Sequence, residues 1–209
     1  MMDPRTQAGW NAAWRALGVA APDGLHAQLL AAWSEPQRHY HTLQHLGECL
    51  ALAEELRDEM DHPAEVVLAL WFHDAVYDVR AHDNEAQSAH WAERVLREAG
   101  VAADARKRIA DLIMATCHGA ADAPPGSRDG AILVDIDLSI LGSTEPRFAE
   151  YEAQIRAEYA WVPPEVFAVK RRDVLRGFLE RERIYATGTM HTRFEAQARR
   201  NLSRAIGIA

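Results

Sequence analysis

The chain has 209 residues, 48% of them hydrophobic and 26% charged, an ordinary globular balance that suits one large domain. Its formal charge of −8 argues against a general nucleic-acid binder, which needs a basic face, but leaves room for a small anionic ligand in a locally positive pocket. No apolar run approaches a membrane span, and the first residues have neither the charged nor the apolar region of a signal peptide. Cys49 and Cys117 match no zinc spacing and build no disulfide framework, so a soluble cytoplasmic setting is expected.

Apolar residues recur at three- and four-residue steps almost throughout, which predicts an all-α bundle of about ten helices and no sheet. In chain order the helices cover 6–17, 23–34, 41–58, 62–77, 84–99, 103–117, 130–141, 145–160, 164–184 and 192–205. Pro22-Asp23-Gly24, Gly100 and Ala123-Pro124-Pro125-Gly126-Ser127 mark turns or loops. Pro164 suits a first helical turn, and Asn84 with Gln87 reads as a capping box. No linker, low-complexity tract or repeat stands out, so residues 1–209 are read as a single domain. The run from Ile132 to Leu141 alternates in part like a strand. As a helix it puts Leu133, Val134, Asp137, Ile140 and Leu141 on one stripe and leaves Asp135 off it. The six tryptophans, at 10, 14, 33, 71, 91 and 161, read as core.

Chemistry concentrates in three places. Residues 66–76 are apolar on every side and end in His73-Asp74, and a carboxylate buried there requires a compensating partner. A hydrogen-bonded His–Asp pair in the core and a metal ion both answer that need. Asp137 faces inward on its stripe with no basic residue beside it, and a divalent ion shared with two neutral imidazoles would neutralise both carboxylates. A turn aspartate is the simpler alternative. Arg38-His39-Tyr40-His41-Thr42-Leu43-Gln44-His45 then places His41 and His45 one helical turn apart, either as ligands or as surface histidines.

The order His45, His73-Asp74, Asp137 resembles the signature of the HD superfamily of metal-dependent phosphohydrolases. The flanking residues look like an uncharacterised branch of it: Tyr40-His41-x-x-x-His45, Phe72-His73-Asp74-x-x-Tyr77-Asp78, Asn84-Glu85-x-x-Ser88-Ala89 and Asp135-x-Asp137-Leu138-Ser139-Ile140-Leu141-Gly142. The likeness runs from about residue 35 to residue 185. It implies a helical fold in which His45, His73, Asp74 and Asp137 hold one divalent ion (Mn, Co, Ni, Mg, Zn and Fe are not distinguished) and a metal-activated water hydrolyses a phosphoester. Alarmone hydrolases of this superfamily carry Glu-Asp where this chain has Tyr77-Asp78, which argues against an alarmone substrate.

Glu85 is the candidate base, with Asp78 as a second carboxylate beside the site; a helix-start charge and a turn residue are their plainer readings. His41 and His118 are candidate substrate contacts, and Arg38 and Arg156 candidate phosphate partners, because a guanidinium matches phosphate oxygens two at a time. His82 and His90 are expected to face solvent. The substrate is expected to be a nucleotide or another small phosphorylated metabolite, with no stable nucleic-acid partner and no membrane. A di-iron oxygenase of the same superfamily and a non-catalytic, ligand-sensing module that keeps its metal are the two alternatives.

Overall fold

The computed structural model describes residues 6–117 and 126–208, and all regular structure in them is helical. Ten α-helices follow one another: α1 Gln7–Ala16, α2 Leu25–Ala32, α3 Leu43–Glu55, α4 Pro63–Phe72, α5 Asn84–Glu98, α6 Ala103–Met114, α7 Arg128–Asp137, α8 Glu145–Glu158, α9 Pro164–Glu180 and α10 Gly188–Ile206. Their order and kind are those of the helical periodicity. Tight 3-10 turns at Arg57–Glu59 and Leu138–Gly142 close α3 and α7 earlier than the apolar pattern indicates. The chain divides into two compact units, Met1–Val134 and Asp135–Ala209.

In the first unit α4 is central, and it packs against α1, α3, α5 and α6. From Val66 to Phe72 every side chain is buried, as a helix apolar on all faces requires. Glu65, in its first turn, is also buried, and its carboxylate receives two hydrogen bonds from Arg108 of α6, Nε at 2.7 Å and Nη2 at 2.6 Å. The start of α4 is held by Asp129, whose buried carboxylate accepts from the backbone N–H of Asp61 and His62 at 2.8 and 2.9 Å. Thr6 and Thr42 cap α1 and α3, accepting from the N–H of Gly9 and Gln44. Gly100 ends α5 at φ +82°, the left-handed turn that favours glycine.

Four of the six tryptophans, Trp10, Trp14, Trp33 and Trp71, are core as expected. Trp91 is half-buried, and Trp161 is 52% exposed, which corrects its reading as core.

In the second unit the 3-10 turn Leu138–Gly142 packs against α8 and α10. Asn201 of α10 donates to the carbonyls of Leu141 and Ser143, both at 2.9 Å, and the Tyr185 hydroxyl donates to that of Leu138 at 3.0 Å. A Cβ on Gly142 would lie 2.7 Å from both Cβ and the carbonyl oxygen of Phe194, so only glycine lets the turn approach α10 this closely. Gly142→Ala is therefore expected to cost about 1–3 kcal/mol, read as a lower urea midpoint.

Asp135 differs from its sequence reading. It is 1% exposed, not off the apolar stripe in solvent, and its carboxylate accepts from the N–H of Ala186 at 2.8 Å and from the N–H and hydroxyl of Thr187 at 2.7 and 2.6 Å. Those three donors tether the segment that leads into α10, a contact between residues 51 and 52 positions apart that helical periodicity cannot register.

Candidate metal centre

Two elements of the first unit bring the site together. His45 is the third residue of α3, facing inward one turn past the Thr42 cap, and His73 is the residue on which α4 ends, its N–H still bonded to the Ala69 carbonyl at 2.8 Å. Both imidazoles are buried, at 2% and 1% exposure, while Asp74 is half-buried at the start of the following loop. The ring of Trp33 lies 5.4 Å from that of His73, Tyr40 lies 4.7 Å from His45, and Trp33 Nε1 donates to the Trp71 carbonyl at 3.0 Å. The two histidines thus stand among aromatic rings, shielded from water.

Three donor atoms converge. His45 Nε2 and His73 Nε2 are 3.3 Å apart, His73 Nε2 is 3.2 Å from Asp74 Oδ2, and His45 Nε2 is 3.9 Å from the same oxygen. A triangle of these sides has its centre about 2.0 Å from each corner, which is the bond length of first-row divalent ions to imidazole nitrogen and carboxylate oxygen, about 2.0–2.2 Å.

The proton positions strengthen the fit. His73 Nδ1 lies 2.8 Å from the Leu70 carbonyl, which can only accept, so Nδ1 carries a proton and Nε2 is the nitrogen left to coordinate a metal. That nitrogen faces Asp74 Oδ2 at 3.2 Å. A backbone carbonyl orienting the far nitrogen of a ligand histidine is the usual support of a metal site. His45, His73 and Asp74 form a group able to hold a metal ion.

The loop carrying Asp74 is clasped from two sides. Arg38, its side chain wholly buried, donates from Nη1 to the carbonyls of Asp74 at 2.6 Å and His41 at 3.3 Å, from Nη2 to that of Ala75 at 3.1 Å, and from Nε to Glu35 at 3.0 Å. Its guanidinium also lies 5.6 Å from the Trp33 ring centre and 5.4 Å from that of Tyr77. From α5, Asn84 Oδ1 accepts from the Asp78 N–H at 3.1 Å, Asn84 Nδ2 donates to the Asp78 carbonyl at 2.9 Å, and the Ser88 hydroxyl accepts from the Val76 N–H at 3.0 Å. The residues of the Asn84-Glu85-x-x-Ser88 motif are thereby partly explained: two of them tie the loop that carries Asp74 to a helix.

Several candidates change role. Arg38 has four of its five N–H groups occupied and is buried, so it positions the loop and does not present a fork to a phosphate. Arg156, in the second unit, likewise donates to the carbonyls of Tyr159 and Val162 at 2.6 and 3.0 Å and closes the end of α8. Asp78 is exposed, and its carboxylate accepts from the Arg80 N–H at 2.9 Å, as a turn aspartate does. Asn84 is the first residue of α5 and not its cap, because Asp83 precedes the helix and takes the Gln87 side chain at 2.9 Å.

His41 lies before the Thr42 cap and shares no helix face with His45; its half-buried ring stands 4.1 Å from that of Tyr77 and 6.0 Å from that of His45. Glu85 is half-buried in the first turn of α5, and after burial its charge is the second cause that pushes the Cys117 thiol pKa up. Asp137 is the half-buried last residue of α7, in the second unit, and His118 lies outside the described residues. His82 and His90 are exposed, as expected.

Sequence reasoning missed Cys49, whose buried Sγ lies 3.7 Å from Nδ1 and 3.8 Å from Nε2 of His45. The i, i+4 spacing on α3 was the available signal.

Arg38→Lys keeps the charge but cannot reach three carbonyls at once, and is expected to weaken metal affinity 10–100-fold. Calorimetric titration with Mn, Co or Zn in the absence of substrate reads this directly; an unchanged affinity with only a raised KM would restore the phosphate role. Comparison of the chain with protein-family models, with curated proteins and with solved structures finds no match to any of them.

Proposed function

We propose that the chain is a metal-dependent phosphohydrolase of the HD kind, acting on a nucleotide or another small phosphorylated metabolite. The supporting observation is the triangle of His45 Nε2, His73 Nε2 and Asp74 Oδ2, joined to the order of these residues in the chain. A divalent ion supplies, when bound, the polarisation of a phosphoryl oxygen and the lowered pKa of a coordinated water that hydrolysis near neutral pH requires.

The protein residues do the rest. His45 and His73 bind as neutral ligands, with the His73 proton kept at Nδ1 by the Leu70 carbonyl. Asp74 brings one negative charge, and with Asp137 the proposed set would neutralise a divalent ion, which makes its burial tolerable. Asp137 is the proposed fourth ligand, by its place in the order of the motif. Trp33 and Tyr40 exclude water from the imidazoles. Glu85 is the proposed proton acceptor, and His41, half-exposed between the first ligand helix and Tyr77, the proposed substrate contact. The acidic surface favours a small ligand over a polyanion.

The test has two stages. Elemental analysis of the purified protein is expected to find a divalent first-row metal or magnesium, and a phosphate-ester panel is expected to show release that Asp74→Ala abolishes. Metal binding with no release across a broad panel would sink the catalytic reading while sparing the site; absence of any bound or bindable metal would sink both.

A further inference from the structure

Helix α9 has a single fully buried residue, Leu175, among its 17. Around Leu175 its inner side is engaged: the Arg156 guanidinium lies 4.8 Å from the Phe167 ring centre, and Arg171 donates to Glu152 of α8, Nε to Oε1 at 3.1 Å. The opposite side presents Val166, Val169 and Val174, 46%, 57% and 50% exposed, with Lys170 and Asp173 between them. Gly177 completes this side, and a Cβ there would meet nothing within 4 Å. Valine is a poor helix former, so three valines on a solvated helix face carry a cost that burial offsets.

We infer that this face of α9 is a contact between two copies of the chain, packed as antiparallel helices about a two-fold axis. An interface of that symmetry must be complementary to itself. Centred between Arg171 and Arg172, the antiparallel register sets Lys170 across from Asp173 of the partner subunit, Val169 across from Val174 of the partner subunit, and Val166 across from Gly177 of the partner subunit. Opposite charges meet at the middle, apolar residues flank them, and glycine at each end admits a valine. A parallel register would place Lys170 on its own copy. The Asp173 carboxylate sits 3.9 Å from Arg176 of the same chain, a loose pair that leaves it within a lysine's reach. A helix of this length is about 25 Å long, and one such face buries less than a standard interface, so a weak, concentration-dependent dimer is expected.

Sedimentation equilibrium of the full chain up to about 200 μM tests this, with circular dichroism confirming that each variant is folded. The wild type is expected to dimerise, Lys170→Asp and Asp173→Lys each to weaken dimerisation more than tenfold, and the double exchange K170D/D173K to restore it. A wild type that stays monomeric, single variants that dimerise unchanged, or a double variant that fails to recover would each overturn the proposal. None of these residues belongs to the metal site, so the outcome is independent of the proposed hydrolysis.

Discussion

His73→Ala is expected to lower metal affinity by more than 100-fold and to remove any metal-dependent phosphate release. His73 Nε2 is the shared corner of the two short sides of the donor triangle, 3.3 Å from His45 and 3.2 Å from Asp74, so its loss leaves two donors separated by 3.9 Å. A support residue of a metal site typically costs 10–100-fold when removed, and a ligand costs more. Calorimetric titration reads the affinity. His73→Gln, which keeps much of the buried volume, guards against a trivial folding defect. The free protein is expected to tolerate these changes better than the metal-loaded one, because the metal stabilises only the state it binds. Acidification is expected to weaken binding as well, since a ligand must be deprotonated to coordinate. Retention of wild-type affinity in both variants would remove His73 from the ligand set.

The second large effect belongs to Asp135, in the second unit. Asp135→Ala is expected to destabilise the protein by about 3 kcal/mol, because it strands the N–H groups of Ala186 and Thr187 that its carboxylate now accepts. In a chain of this size that corresponds to a fall in melting temperature of about 10 °C. The pH dependence separates charge from hydrogen bonding. Burial pushes the Asp135 pKa above its ordinary value, against the opposing pull of the Thr187 and Ala186 donors. The folded state therefore holds the proton more tightly than the unfolded one. The contribution of this group is fullest below the ordinary carboxylate range and declines as pH rises through the elevated value. Asp135→Asn resembles the protonated form, so its penalty against wild type should be smaller at pH 7 than at pH 4 in urea titrations. An equal penalty at both values would assign the whole effect to the hydrogen bonds.

Much of this was legible in the residues. The all-helical class and the ten segments follow from three- and four-residue spacing, and the burial of α4 follows from a run with no polar face. The need for a compensating partner beside His73-Asp74 follows from the cost of burying a carboxylate, and His45 stands beside that pair. Helix ends were less legible. The pattern over 62–77 stays apolar past Phe72, yet α4 stops there, because Arg38 and Ser88 take up the backbone groups of Asp74, Ala75 and Val76 that a continued helix would have used.

By itself, then, the sequence determined which segments are helices, which of them is buried on every side, and which histidines and acids are available to a metal. The tertiary structure decided what the polar residues do. Arg38 and Asn84 became clasps, Asp78 a turn, and Asp135 a buried tether. Periodicity reports only whether a side chain faces inward; a hydrogen-bonding partner tens of residues away is selected by the folded backbone, whose carbonyl and N–H groups carry no side-chain signature.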